Sequence, residues 1–373
     1  MHDQRGQRQE RPQERGDERV AGARMRCGVR ELPHQQQHQR SQQQGGHQEG
    51  EPSAIQRSGP RAASNEECGP CCDPRQLPDG GSMTGGALSV QRQANPIRIV
   101  LNADDFGLSA GIDQGILDLL ANGRLTGVSA MTTGPRWSED GPNLAAYRTA
   151  ADIGLHFSLT EVPTFRSEGL RRSDGAPFTF SEVVDVAWWR RIDRAAVRDE
   201  LLRQWRAFID ILGQSPAHLD SHQHVHQLPV VRDAVLEFLD DLSESERPYV
   251  RTAVERTGTI VRRRVHAARA LAFSVAGRRL RRGLAARRIR TNDGFSGIYD
   301  FRATAGYRPL FRKFLRETRN TAIVLCHPAA PGMTMPGDRI AGARGSEYDY
   351  FAGDALAEDL AAAGVTIGRF ADS

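Results

Sequence analysis

Apolar and polar positions fall into two regimes along this chain. Residues 1–95 carry almost no apolar run, whereas from Ile97 onward short β-rich runs alternate with stretches of helical period. Ile97–Ala103 reads as a strand that enters Asp104-Asp105. Ser109 then caps a helix whose Ile112, Ile116, Leu119 and Leu120 recur at i, i+4, i+7 and i+8, and Gly123 closes it. Leu125–Thr133 and Asp152–Leu159 read as further strands. Residues 161–194, with Pro163, Gly169, Pro177 and the pair Trp188-Trp189, read as a long loop holding a short helix. Ala195–Leu212 is amphipathic, with Val197, Leu201, Trp205, Phe208 and Leu212 on one stripe and Gly213 at its end. Ala217–Asp220 is a strand, and Pro229 opens a helix at its favoured first position. Tyr249–Ala253 and Thr321–Cys326 read as strands, and a helix over about 354–363 precedes the strand Val365–Phe370.

This alternation predicts βα units around a parallel sheet. No glycine-rich dinucleotide fingerprint follows the first strand; that turn presents two carboxylates instead. Acids and histidines at several strand ends suit an α/β fold of the (β/α) barrel type, TIM-like and distorted, whose site lies at the C-terminal strand face. A doubly wound open sheet is the alternative.

Composition separates the tail from the rest. Residues 1–95, rich in Gln, Arg, Glu, Gly and Pro, cannot bury enough apolar area to offset the entropy of ordering them, so a disordered extension is expected ahead of a globular domain at 96–373. Cys27, Cys68, Cys71 and Cys72 lie in that tail and only Cys326 beyond it, which is not a disulfide framework; the Cys68-Gly-Pro-Cys71 spacing has no strand or helix pattern around it. The net charge of +4 against 50 basic and 46 acidic residues is a weak sign of nucleic-acid binding, and none is expected. Lys313 is the single lysine, so arginine abundance reflects coding bias more than function. With no apolar run of 18 residues and no signal-peptide core, a cytoplasmic protein without a membrane span is expected.

The histidines change the picture. Six of the seven beyond the tail fall in three short motifs at strand ends: His156, the set His218–His226, and His327; His266 stands alone. In His218-Leu-Asp-Ser-His222-Gln-His224-Val-His226 every ligand-type residue is at an even position, so on an extended strand Asp220, His222 and His224 share a face, while His226 leaves that line before Pro229. Asp104-Asp105 repel one another unless a cation or proton relieves them. One Asp as ligand with two imidazoles leaves positions for water and substrate, and the other Asp can take a proton. His327, on a separate strand, suits a general acid.

Four segments resemble the YdjC-like carbohydrate deacetylases, a family that includes chitooligosaccharide and hopanoid-associated deacetylases. They are Asn102-Ala-Asp-Asp-Phe-Gly107, Gly154-Leu-His156, His218–His226 and Cys326-His-Pro328, in order within about 97–370. The resemblance implies a barrel related to polysaccharide deacetylases, often dimeric, that removes an N-acetyl group from an acetylated amino sugar with Mg²⁺, or alternatively Zn²⁺. Residue by residue it implies Asp105, His156 and His222 as metal ligands, Asp104 as base and His327 as the acid toward the leaving amine. His224 and His226 become support or substrate contacts, Gly294-Phe295-Ser296-Gly297 a loop near the substrate, and Arg251 a substrate-side arginine. Asp104→Asn is expected to abolish turnover and leave fold and metal affinity intact. Competing readings are a metal-dependent phosphoesterase and a carbohydrate-binding protein with a dead site. The stretch 261–290, with eleven arginines, has no counterpart; it reads as a basic amphipathic insertion, an anionic-surface contact or a lid.

Overall fold

The computed structural model of the protein describes residues 96–160, 170–172, 174–302, 306–333 and 335–372. The expected disordered extension 1–95, its four cysteines and part of the loop expected over 161–194 lie outside the described residues.

The elements run in order β1 (Ile97–Phe106), α1 (Ala110–Ala121), β2 (Gly127–Ala130), α2 (Trp137–Asp140), β3 (Asp152–Phe157), α3 (Phe180–Trp188), α4 (Arg194–Leu212), β4 (His218–Ser221), α5 (Val231–Asp241), β5 (Tyr249–Val250), α6 (Thr257–Arg263), α7 (Ala267–Ala286), β6 (Phe295–Ser296), α8 (Arg308–Phe314), β7 (Ala322–Cys326), α9 (Ala341–Ala352), α10 (Ala355–Ala363) and β8 (Val365–Ile367). All named strand pairs are parallel, in the order β5-β4-β3-β2-β1-β7-β6, with β8 on the entry of β1. An isolated bridge joins Val250 of β5 to Thr291, four residues before β6, and the Val250 N–H donates to the Arg290 carbonyl. The parallel sheet follows the alternation, and it curls toward the distorted barrel that the acids and histidines at its strand ends suited.

Local chemistry explains the helices that carry the barrel. Ser109 accepts from the Ile112 N–H at the start of α1, and the Asp193 carboxylate accepts from the Ala195 N–H at the start of α4. Gly213 ends α4 at φ 70°, a conformation glycine adopts without steric cost. The stripe Val197, Leu201, Trp205, Phe208 and Leu212 is buried against the sheet, and each such side chain contributes about 1.5–3 kcal/mol of transfer free energy. Pro229 does not open α5; the helix starts at Val231 after Val230 takes φ 64°. The strand expected over 249–253 shrinks to two residues, because Thr252 and Ala253 give their N–H groups to the Asn292 and Gln227 side chains rather than to a neighbouring strand.

The arginine-rich stretch forms the last turn of α6 and all of α7. Only Ser274, Gly277, Leu280 and Leu284 of α7 are buried, a narrow stripe. A Cβ on Gly277 would meet the Gln227 side-chain oxygen at 2.2 Å, so the glycine lets α7 lie close against the turn that follows β4.

Candidate active site

Neighbouring residues on a regular strand point to opposite faces, so Asp104 and Asp105 need a break in β1 to share a site. The break is a bulge: Ala103 pairs with Val128 and Phe106 with Ala130, leaving one extra residue in β1, and Asp105 sits at φ 73°. A non-glycine residue held there costs about 1–3 kcal/mol. The result is convergence. His156 Nε2 lies 4.0 Å from Asp104 Oδ2 and 3.6 Å from Asp105 Oδ1. The turn is braced behind by buried Asp113, which accepts from the Gly107 N–H at 2.6 Å.

Register brings the third acid. His156 of β3 is level with Asp220 of β4, and its Nδ1 lies 2.6 Å from Asp220 Oδ1. Asp220 also accepts from Ser129 Oγ at 2.6 Å and pairs with Arg251 Nε at 2.9 Å. Arg251, buried, donates from both terminal nitrogens to Asp104 at 2.6 and 2.7 Å, and Asn102 adds a 2.8 Å bond to the same carboxylate. Arg344 of α9 donates to Asp105 Oδ2 at 2.8 Å. Three buried carboxylates thus face two guanidinium groups.

Electrostatics follow from that imbalance. Burial alone would raise Asp105, but Arg344 and His222 hold it well below the usual carboxylate range. Burial would also lower His156, yet Asp220, Asp104 and Asp105 lift it to about 10. The point between these carboxylates strongly favours positive charge.

Beyond β4 the even spacing no longer governs. The strand stops at Ser221, and Gln223 and His224 take φ 55° and 58° within the turn His222–Gln227. His222 stays beside Asp105, with Nδ1 3.0 Å from Oδ1. His224 does not share its face, contrary to the strand expectation: its ring turns edge-on toward Phe273 at 5.0 Å and Phe295 at 5.4 Å. His226 is fully buried, with Nδ1 2.5 Å from Ser221 Oγ and Nε2 2.8 Å from the Arg251 carbonyl. Phe295 is buried as well, its ring 5.9 Å from the Arg251 guanidinium carbon. Arg251 itself is spent on Asp104 and Asp220. His226, Phe295 and Arg251 are thus buried beside the site, with Arg251 committed to Asp104 and Asp220.

The end of β7 supplies the last group. The His327 N–H donates to the buried Glu347 carboxylate of α9, which also accepts from Tyr299 Oη at 2.5 Å. Burial outweighs the pull of Asp105 and Asp104 and takes His327 down to about 4, and its Nδ1 has no partner among the described residues. Burial lifts Glu347 to about 7. Asn102, Ser129, Arg344, Glu347 and Tyr299 had no role in the sequence reading, and Asp220 appeared there only as a possible ligand.

The donor set fits a divalent cation. One ligand atom from each of Asp105, His156 and His222 lies within 4.8 Å of the others. The second set that meets this spacing, Asp104, His156 and Asp220, is already committed: Arg251 holds both acids, and Asp220 occupies His156 Nδ1. Asp220 behind His156 is placed as the outer carboxylate would be for a metal-binding imidazole, leaving Nε2 toward Asp104 and Asp105.

The chain is similar to known proteins over most of the described residues. Residues 98–362 match the family of YdjC-like proteins. The chain is 28% identical, over 285 residues, to the chitooligosaccharide deacetylase of Klebsiella pneumoniae (strain 342), covering 74% of this chain and 98% of that protein. It shares its fold with the crystal structure of a protein from Enterococcus faecalis V583 proposed to cleave cellobiose phosphate, at TM-score 0.54 and 19% identity, covering 74% of this chain and 98% of the other.

Proposed function

Because the chain belongs to the YdjC-like protein family, we propose that it is a divalent-metal-dependent hydrolase that removes the N-acetyl group from an acetylated amino sugar or its oligosaccharide. The observation that carries the reading is the bulge at Asp104-Asp105, which aims two carboxylates at one imidazole backed by a third. Similarity to a chitooligosaccharide deacetylase supports the substrate class.

Asp105, His156 and His222 hold the ion, with Mg²⁺ the expected metal and Zn²⁺ the alternative. When bound there, a divalent cation supplies Lewis-acid polarisation of the acetyl carbonyl. Asp104 takes the proton of the attacking water. Arg251 and Asn102 fix its carboxylate, so little reorganisation accompanies that transfer. His327 protonates the departing amine. It rests neutral near pH 7, and negative charge developing beside it raises its affinity for the proton released at Asp104. One proton leaves water and one joins the amine, so the steps balance.

The test is acetate release by the full chain from N-acetylglucosamine and its oligomers, after chelation and after adding Mg²⁺ or Zn²⁺. Activity restored by the metal supports the reading. Phosphate release from phosphorylated sugars without acetate release would favour a phosphoesterase instead.

A further inference from the structure

The proposed reaction leaves unused a group of large side chains on and beside α7. Phe301 sets its ring edge-on 5.1 Å from His327. Phe273 of α7 lies 5.0 Å from His224 and 6.4 Å from Phe180 of α3. Arg269, exposed, places its guanidinium carbon 5.9 Å from the centres of both phenylalanine rings and donates to the Tyr299 carbonyl at 3.1 Å. Phe273 and Phe301 pack against the core yet are only half-buried, so part of each side chain stays accessible. Together they make a wall from His327 to the turn that carries His222 and His224. Gly277 seats α7 against that turn, which holds the wall in register with the site.

We propose that Phe273, Phe301 and Arg269 form the binding wall for the glycan units that flank the reacting sugar, and so set a preference for oligomers over the monomer. The ligand class rests on the deacetylase reading; the wall itself rests on these contacts. A pyranose ring presents an apolar C–H face rimmed by hydroxyls. Aromatic rings cover the first, and the forked donors of an arginine satisfy the second. Neither feature has a use in metal binding or proton transfer.

The test is calorimetric binding of N-acetylglucosamine monomer and tetramer to the full chain and to its Phe273→Ala, Phe273→Trp and Arg269→Ala variants. The parent is expected to bind tetramer at least about tenfold more tightly than monomer, the scale of one lost aromatic contact. Phe273→Ala and Arg269→Ala should erase that preference with monomer affinity unchanged, and Phe273→Trp should keep it. Retained monomer affinity reports an intact site in each variant. Parent-like tetramer binding by both alanine variants, or no tetramer binding by the parent, overturns the wall. Tetramer binding by the parent with no acetate release under any metal would instead sink the deacetylase reading and leave the wall standing.

Discussion

After β1 the backbone N–H of Gly107 donates to the buried carboxylate of Asp113; after β7 the backbone N–H of His327 donates to the buried carboxylate of Glu347. Both turns carry groups assigned to the chemistry, and both are braced by an acid from a helix. They differ in reach. Asp113 lies six residues beyond Gly107, in the helix that follows directly, whereas Glu347 lies twenty residues beyond His327. The α9 helix that brings Glu347 also brings Arg344 back to Asp105, across 239 residues of sequence. The β1 turn is thus a local construction, and the β7 turn depends on a helix that also completes the β1 site. Strand ends place the reactive groups; a distant helix sets their charge.

The largest effect should come from the local side. Asp104→Asn removes the proposed base, and loss of general-base help costs typically about 10²–10⁴-fold in rate. Acetate release should fall by about 10³-fold, which sharpens the assignment of chemistry to β1. The fold is expected to stay largely intact, at a cost in stability. Arg251 then faces one neutral amide oxygen in place of a two-point carboxylate and keeps Asp220 as its charged partner, so urea unfolding should show a cost of about 1–3 kcal/mol as well. Full acetate release by this variant would remove Asp104 from the mechanism.

Next in size is Arg344→Met, which asks whether the distant helix matters as much as the strand ends. Arg344 is buried and pairs with both Asp105 and Asp338 at 2.8 Å. Breaking a buried pair from one side costs about 3–5 kcal/mol, because a charge is left without its partner. Urea unfolding of the chelated protein should show a loss near the lower value, since His222 still faces Asp105. A change under about 0.5 kcal/mol, the range of ordinary surface substitutions, would break the comparison and make α9 a bystander.

The same contrast of reach decides what could be read from sequence. α1 and α4 were legible because Ser109 and Gly213 mark their ends and their apolar residues keep one period. Asp104, Asp105, His156, His222 and His327 stood out as candidates because strand ends display them in short motifs, and the family resemblance singled out His222 among the evenly spaced histidines. The bulge was not, since a left-handed Asp105 leaves no mark in the residue types. Nor was the end of β4, where the even spacing of histidines suggested a strand that in fact stops at Ser221. α9 reads poorly as a helix: Gly342, Gly345, Ser346 and Asp349 all disfavour one. Burial of Ala343, Tyr350 and Phe351 overrides those preferences, and only the folded chain reveals that Arg344 and Glu347 face the site.

The smallest effect tests the two braces against each other through pH. Burial lifts Asp113 to about 8, with Asp140 adding to the rise and the Gly107 N–H opposing it, and burial lifts Glu347 to about 7. Unfolded, the two titrate near 3.8 and 4.5. A raised acid binds its proton more tightly in the folded state, so its contribution is complete below the unfolded value and fades as pH rises through the folded one. Between about pH 4 and 8 the parent should therefore lose stability through Asp113, and between about 4.5 and 7 through Glu347. Asp113→Asn imitates the protonated acid, so in urea unfolding it should match the parent only below about pH 4 and exceed it increasingly as pH rises toward about 8.5. Glu347→Gln should gain less, because its window is narrower and its carboxylate accepts from both Tyr299 and His327. If the Asp113→Asn curve runs parallel to the parent between those pH values, Asp113 is ionised in the fold and the local brace is an ordinary carboxylate bond. If Glu347→Gln gains as much as Asp113→Asn, reach through the sequence makes no difference to how a brace is charged.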